Sequence, residues 1–284
     1  MTLRPDIQAI VDTLQDLGVI EQNSQVNEEM KGTTEGLVYI LTVNKEKKYV
    51  LKVDTPQSNS CAELLLAAYP GSSLLPKLLY TDPHGNYILY TYTAGTTHYN
   101  RGAKIDWLTG IVTGLLNHYE TSSAPQWGRL EMPRDSWAEF NRISLEEARS
   151  NVGDILPAED YDKVQSLSGR ISGAEDKYLL HGDTGVHNFV FQDHSLVGVI
   201  DPSPMVGPLI YDFTYAFCSS PDDLNRVTLF KAFDQLKQKA IGHSRLIEEV
   251  VFQLYCRIGI CARVHPQDLK DYLTAWEHWR THLV

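Results

Sequence analysis

The stretch Tyr178–Phe217 constrains this chain more than any other, because it places polar residues at the ends of short apolar runs. It reads YLLHGDTGVHNFVFQDHSLVGVIDPSPMVGPLIYDFTYAF. The strand-like runs Tyr178–Leu180 and Phe189–Phe191 flank a polar loop, and a third run, Leu196–Ile200, ends at Asp201. Carboxylate and amide oxygens delivered in this way are the ligands that Mg²⁺ prefers. Because phosphoryl transfer also needs a carboxylate that orients the attacking hydroxyl, the stretch predicts a metal and phosphate site.

Composition limits the class of protein. The 284 residues are 43% hydrophobic, which is typical of a folded protein. The net charge of −11 argues against a basic surface that binds nucleic acid. No apolar run approaches the ~20 residues that span a bilayer, and no signal peptide is visible, so we expect a cytoplasmic protein without a membrane partner. Residues 94–202 hold most of the acidic excess. That excess suits either a cationic substrate or simple solubility, and both interpretations stay open.

The first third of the chain reads as a small β-rich unit behind one amphipathic helix, residues 4–17. Strands are predicted at residues 37–43, 49–53, 74–80 and 86–92. The β character ends at Ala94–Gly95, so we place an N-lobe at 1–93 and a C-lobe at 94–284. The C-lobe pattern is mainly helical, and its last helix carries aromatic residues that fit either a core stripe or a cage for a quaternary ammonium.

Two features of the N-lobe could contact phosphates. The turn Lys31–Gly36 is rich in glycine and polar residues, and such turns either cover phosphates with backbone N–H groups or serve only as turns. Lys52 lies in an apolar strand, where an ammonium group needs a partner unless it points outward from an edge strand. Glu63 is the acidic residue of the following apolar helix, so it is a natural partner for Lys52. A first-turn Glu also suits the helix dipole without any such role.

With these elements in order, the chain resembles the aminoglycoside phosphotransferase family, which is related to the protein kinases and includes choline, homoserine and methylthioribose kinases. The resemblance covers nearly the whole chain. Its most specific part is H-G-D-x-x-x-x-N from His181 to Asn188, with I-D thirteen residues later at Ile200–Asp201 and G-P-x-x-Y-D-F at Gly207–Phe213. The resemblance implies an α+β, bilobal protein-kinase-like fold with a small β-rich N-lobe and a larger, mainly helical C-lobe.

The resemblance also implies roles for individual residues. Asp183 would accept the proton of the substrate hydroxyl, and Asn188 and Asp201 would hold Mg²⁺ on the phosphates of ATP or GTP. The remaining implied positions are Lys52 with Glu63 at the α/β-phosphates, the turn residues Gly32, Thr33, Thr34 and Gly36 over the triphosphate, Tyr90, Thr91 and Thr93 at adenine, and His181 and Asp212 as structural support. His187 could reach either substrate or solvent.

The implied activity is transfer of the γ-phosphate to a hydroxyl of a small molecule by a monomer or homodimer. The sequence departs from the family pattern in two places. Asp201 is followed by Pro202-Ser203-Pro204, where the family often has an aromatic residue. Gly207 and Pro208 are adjacent, whereas the family commonly has an acidic residue between them. This variant is similar to the streptomycin phosphotransferase branch and favours an aminoglycoside or related antibiotic. A metabolite kinase and a non-catalytic binding module are the alternatives. A protein kinase is disfavoured because the segment between Asp201 and Gly207 is too short for an activation loop.

Overall fold

The computed structural model describes residues 6–31, 36–97, 99–173, 176–238 and 241–283, which fall into two compact units. The first unit comprises the chain up to Pro70 together with Leu75–Gly95, and the second comprises Gly71–Leu74 and the chain from Thr96 onward. Within the described ranges, no helix combines the length and apolarity needed to cross a bilayer. The turn residues Gly32, Thr33 and Thr34 lie outside the described residues.

In its described residues, the first unit is an antiparallel sheet with two helices. The described elements are α1 (Ile7–Asp16), β1 (Ser24–Lys31), β2 (Leu37–Val43), β3 (Glu46–Val53), α2 (Pro56–Ala68), β4 (Leu78–Thr81) and β5 (Tyr87–Thr91). The strand order is β1-β2-β3-β5-β4. Alternate residues of a strand share a face, so Leu41, Leu51 and Leu89 form one buried surface. Val11 and Leu14 of α1 pack into the same cluster, which confirms the predicted amphipathic helix.

The described part of the second unit is mainly helical, with two small three-stranded sheets ordered β10-β9-β6 and β7-β11-β8. Its described helices are α3 (Lys104–Gly114), α4 (Trp137–Val152), α5 (Ala158–Ile171), α6 (Ile210–Cys218), α7 (Arg226–Phe233), α8 (His243–Val264) and α9 (Leu269–Trp279). Its described strands are β6 (Thr96–Thr97), β7 (Gly128–Arg129), β8 (Tyr178–Leu180), β9 (Phe189–Gln192), β10 (Ser195–Val199) and β11 (Met205–Gly207). A 3-10 turn, Val186–Asn188, lies between β8 and β9.

The aromatic residues of α9 belong to the core. Tyr272 and Trp276 are fully buried. The Trp276 indole donates to Asp160 Oδ2 at 2.8 Å, and the Tyr272 hydroxyl donates to the Cys218 carbonyl at 2.9 Å. Buried indole and phenol groups normally find such partners. Of the two interpretations left open by the sequence, the core stripe is therefore correct.

Candidate active site

The polar loop between β8 and β9 is held in place by Asp212, near the N-terminus of α6. The Gly182 amide donates to the two Asp212 carboxylate oxygens at 3.1 and 3.3 Å. The Tyr119 hydroxyl donates to Asp212 Oδ2 at 2.6 Å and accepts from the His181 amide at 3.0 Å. The Thr184 hydroxyl adds a bond to the Asp212 carbonyl at 2.7 Å. A network of this kind fixes the backbone that carries Asp183.

Burial shifts the pKa values of both predicted support residues. It raises the pKa of the fully buried Asp212 carboxyl to about 6, although hydrogen bonds from Tyr119 and the loop amides act in the opposite direction. It lowers the pKa of His181 to about 4, so this imidazole is neutral at physiological pH. His181 Nδ1 accepts from the Asp183 amide at 3.3 Å. Its buried Nε2 has no hydrogen-bond partner among the described residues.

Asp183 has one carboxylate oxygen that is contacted and one that is not. Oδ2 lies 3.4 Å from His187 Nε2, whereas the buried Oδ1 has no hydrogen-bond partner among the described residues. Burial acts to raise the pKa of Asp183, but the contact with His187 and the nearby His181 and Arg129 outweigh it, so this pKa lies below its usual range. A buried acceptor without a partner is costly, which marks Oδ1 as a position where a ligand would donate a hydrogen bond.

The backbone of the loop depends on Gly182. This residue has φ +78°, and a Cβ built on it would lie 2.0 Å from the Ser203 carbonyl oxygen. The Ser203 amide donates to the His181 carbonyl at 3.0 Å, so the two segments run in contact at this point. Glycine is required here by both the backbone angle and the close approach.

Asn188 and Asp201 are the two predicted metal ligands, and a backbone bond links their segments. The Ile200 amide donates to the Asn188 carbonyl at 2.9 Å. Asn188 Nδ2 donates to the Asp183 carbonyl at 3.0 Å, which leaves the amide Oδ1 as the acceptor of that side chain. Asp201 has φ +53°, which is uncommon for a residue other than glycine. Among the described residues no group of three or more His, Cys, Asp and Glu side chains is arranged to hold a metal ion.

The predicted ion pair between Lys52 and Glu63 is not formed in the described part of the first unit. Lys52 is 8% exposed in the central strand β3, so it is not an outward-pointing edge residue. Its Nζ lies 3.4 Å from Asp54 Oδ2. Asp54 follows Lys52 by two residues and therefore shares its face of the strand, whereas Glu63 lies on α2. Gly36 adjoins this pair, since a Cβ on it would lie 2.6 Å from Asp54 Oδ2.

The segment predicted to bind adenine follows β5. Tyr90 pairs with Val50 of β3. The Thr91 amide donates to the Lys77 carbonyl at 3.0 Å, and Thr91 Oγ1 accepts from the Lys77 amide at 2.9 Å. The Thr91 amide is therefore already used within the first unit. Thr93 is the remaining predicted backbone contact of this segment.

Sequence reasoning missed Arg129, Tyr211 and Tyr215, which surround the loop in the second unit. Arg129 Nη1 donates to the Ser203 carbonyl at 3.3 Å and also to the Ser203 hydroxyl. The charge of Arg129 acts on Asp183, and the charge of Asp183 acts on the pKa values of Tyr211 and Tyr215. The Y-D-F-T-Y spacing at residues 211–215 puts both tyrosines on one face of a helix, but α6 is too apolar throughout to show an amphipathic pattern.

Comparison with solved structures agrees with this architecture. The chain is similar to the aminoglycoside phosphotransferase APH(4)-Ia, at 13% identity and a TM-score of 0.62 over 98% of each chain. It is also similar to the choline kinase LicA from Streptococcus pneumoniae, at 13% identity and a TM-score of 0.59 over 98% of each chain. The macrolide 2'-phosphotransferase MphH from Brachybacterium faecium matches at 12% identity and a TM-score of 0.58, over 99% of this chain and 98% of that one.

These structures define the class of fold: an α+β, protein-kinase-like architecture with a β-rich N-terminal part and a helical C-terminal part. The chain belongs to the phosphotransferase enzyme family abbreviated APH, whose model matches residues 28–243. The resemblance inferred from the motifs is thereby confirmed. No curated protein matches the chain.

Proposed function

We propose that this phosphotransferase moves the γ-phosphoryl group of ATP, or of another nucleoside triphosphate such as GTP, to a hydroxyl group of a small molecule. The observation that carries the proposal is the buried Asp183 Oδ1, an ionised acceptor without a hydrogen-bond partner among the described residues. An acceptor hydroxyl that donates to Oδ1 would be oriented for attack on phosphorus and could pass its proton to the carboxylate.

The assignments of the phosphate donor and of the metal rest on the chemistry of the side chains that would bind them. Asn188 Oδ1 and the Asp201 carboxylate are hard oxygen ligands, and Mg²⁺ is usually held by one or two such groups together with phosphate oxygens. When bound, the ion would neutralise charge that develops on the transferred group. Lys52 would supply positive charge to the phosphates, with Asp54 rather than Glu63 as its partner. Solved APH(4)-Ia complexes contain ADP or AMP-PNP together with hygromycin B, which supports a nucleotide as donor.

The class of acceptor is open between antibiotics and metabolites. The sequence favours an aminoglycoside or related antibiotic, and the similar structures include aminoglycoside and macrolide phosphotransferases as well as a choline kinase. A cavity of about 910 Å³ beside His187 has room for a large acceptor. Asp222 of its lining is paired with Arg101 at 3.3 Å, and Asp268 and Asp271 line the same space with Arg257, so the lining carries only a small acidic excess.

The decisive test is turnover of ATP in the presence of a panel of hydroxyl acceptors, for wild type and Asp183→Asn. We expect the variant to lose at least a hundredfold in turnover, because general-base positioning contributes roughly 10²–10⁴ in rate. Asp193→Asn, in the exposed turn between β9 and β10, is the matched control and should keep wild-type turnover. Circular dichroism would establish that both variants fold.

Wild-type turnover in Asp183→Asn, or in Asp201→Ala, would contradict the proposal. Nucleotide binding by the wild type without phosphate transfer to any acceptor would favour the alternative, a non-catalytic binding module.

A further inference from the structure

A cavity of about 240 Å³, partly open to solvent, lies within the second unit between α4, α6, α8 and β7. Its walls include the apolar side chains Phe140, Ile143, Phe252 and Ile260. Polar lining groups come from different elements, among them Arg129 from β7, Tyr211 and Tyr215 from α6, Gln253 from α8, Arg134 from the loop before α4 and Ser144, Glu147 and Asn151 from α4. Mostly apolar walls with a few convergent polar groups are typical of small-molecule sites.

Several polar groups of this cavity make no hydrogen bond within the described part of the protein. Gln253 is only 6% exposed, yet its side-chain amide makes no hydrogen bond to any described residue. The same holds for the hydroxyls of Tyr211 and Tyr215 and for Nε and Nη2 of Arg129. None of these atoms is fully buried, so each is open to the cavity and can form a hydrogen bond with a ligand that enters it.

The cavity adjoins the loop that carries Asp183. Arg129 donates through Nη1 to Ser203, whose carbonyl packs against Gly182. Burial alone would lower the pKa of Arg129, but nearby Tyr211, Tyr215 and Asp183 raise it above its usual value. The cavity therefore adjoins the segment that carries the proposed base, and Arg129 of its lining interacts with Asp183 electrostatically.

The charges of the lining residues favour a negatively charged ligand. Arg129 and Arg134 are positive, while the acidic Glu147 is 67% exposed at its side chain and lies 3.7 Å from Arg263. Burial raises the pKa values of Tyr211 and Tyr215 well above the ordinary value, so both hydroxyls stay neutral and can donate. A guanidinium with two phenols and an amide is a donor set for an oxyanion. Because Asp183 is also negative and close, a monoanion is favoured over a dianion.

We propose that this cavity binds the carboxylate of the phosphoryl acceptor, so that the acceptor is a small hydroxy acid whose hydroxyl reaches Asp183. The inference rests on the proposed function, because it assigns the acceptor of the same active site. The volume agrees with a small ligand, since sites for drug-sized molecules are about 300–1,000 Å³. A multi-ring aminoglycoside would not enter it.

The test separates binding from turnover. Binding of a series of ω-hydroxy carboxylic acids of increasing chain length, and of glycerate, would be measured by calorimetry without nucleotide. Each acid would be compared with its own primary amide, which keeps the shape but removes the charge, and with choline and glycerol 3-phosphate as cation and dianion. The variants are Tyr211→Phe, Tyr215→Phe and Gln253→Leu, with Tyr255→Phe as the control on α8 outside the cavity.

We expect at least one acid to bind about tenfold more tightly than its amide and than choline or glycerol 3-phosphate. Each cavity variant should weaken the binding of that acid by about tenfold, the effect of one lost hydrogen bond to a charged group. Tyr255→Phe should leave its affinity unchanged. The proposal is overturned if no acid binds better than its amide, if choline or glycerol 3-phosphate binds best, or if all three cavity variants keep wild-type affinity.

The same experiments give a different result if the proposed function, rather than the cavity assignment, is wrong. In that case the acid binds and the cavity variants weaken it, but ATP turnover does not rise when the acid is added. If the function holds and the cavity assignment fails, turnover occurs with an acceptor whose KM is unchanged in Tyr211→Phe, Tyr215→Phe and Gln253→Leu.

Discussion

At the scale of single residues, a few positions fix the geometry on which the proposed chemistry depends. Asp183 keeps one carboxylate oxygen without a partner among the described residues, because His187 contacts the other, and Gly185 permits that contact. A Cβ on Gly185 would lie 2.4 Å from the His187 ring. Gly182 lets the Ser203 carbonyl approach the loop. These residues act through shape and hydrogen bonding rather than through burial of apolar surface.

Gly182→Ala should therefore be unusually destabilising. Its left-handed backbone costs an alanine roughly 1–2 kcal/mol, and the overlap with the Ser203 carbonyl should bring the total to about 4 kcal/mol or more. Gly18→Ala is the matched control, because Gly18 has φ +68° but nothing lies within 4 Å of a Cβ there. Urea unfolding of the two variants measures the difference. If both variants lost the same free energy of unfolding, the close approach of the Ser203 carbonyl to Gly182 would not contribute to the destabilisation.

At the scale of elements, hydrogen bonds at both ends of α6 connect it to other segments of the second unit. Asp212 in its first turn holds the Gly182 amide, and Ser219, which follows the helix, accepts from the Val186 amide at 3.0 Å. The C-terminal carbonyls of Phe217 and Ser220 accept from Lys104 Nζ at 3.1 and 2.8 Å. A cation at a helix C-terminus satisfies carbonyls that lack helical partners and interacts favourably with the helix dipole.

Lys104 is fully buried, and burial lowers its pKa to about 8 despite nearby Asp222. Lys104→Met should leave the two carbonyls without their donor and reduce the free energy of unfolding at pH 7 by about 2 kcal/mol, after part of the loss is offset by removal of a buried charge. Lys163→Met, on the surface of α5, should produce no measurable change. A Lys104→Met protein as stable as wild type would mean that this cap is dispensable.

For the molecule as a whole, the free energy of unfolding should depend on pH through two buried residues, His181 in the loop and Asp212, which holds the loop. The pKa of His181 falls from 6.5 to about 4 on folding, so the unfolded chain takes up its proton first. Its contribution to stability is therefore complete above about pH 6.5 and is lost as the pH drops towards 4. Asp212 acts in the opposite direction, because its raised pKa makes its contribution complete below 3.8 and lost as the pH rises through about 6.

His181→Asn should remove the first of these contributions. Between pH 6.5 and 4, wild type should lose about 3 kcal/mol more stability than the variant, which is the equivalent of the shift in the pKa of His181. The measurement is urea unfolding at a series of pH values, with His84→Asn in an exposed turn as the control for loss of one imidazole. Parallel pH profiles of wild type and His181→Asn would contradict the expectation.

Local sequence patterns were strong enough to predict the family, the fold class and most elements. The spacing H-G-D-x-x-x-x-N and I-D identified the loop, and apolar periodicity found α1 with small errors at its ends. It did not reveal α6, since that helix is buried on nearly all sides and shows no polar face. It also missed β6, β7 and β11, which are too short to form a pattern.

Contacts between side chains from different elements, in contrast, followed from the packing of the folded chain. Strand geometry gave Lys52 the nearby Asp54 as its ion-pair partner, whereas the sequence favoured Glu63. Packing of α6 against α4, α8 and β7 placed Arg129, Tyr211, Tyr215 and Gln253 around one cavity, although their positions span 125 residues of chain. Such contacts depend on distances between elements that are remote in sequence. No local pattern encodes them, and for this reason the sequence identified the proposed base but not the cavity that we assign to its acceptor.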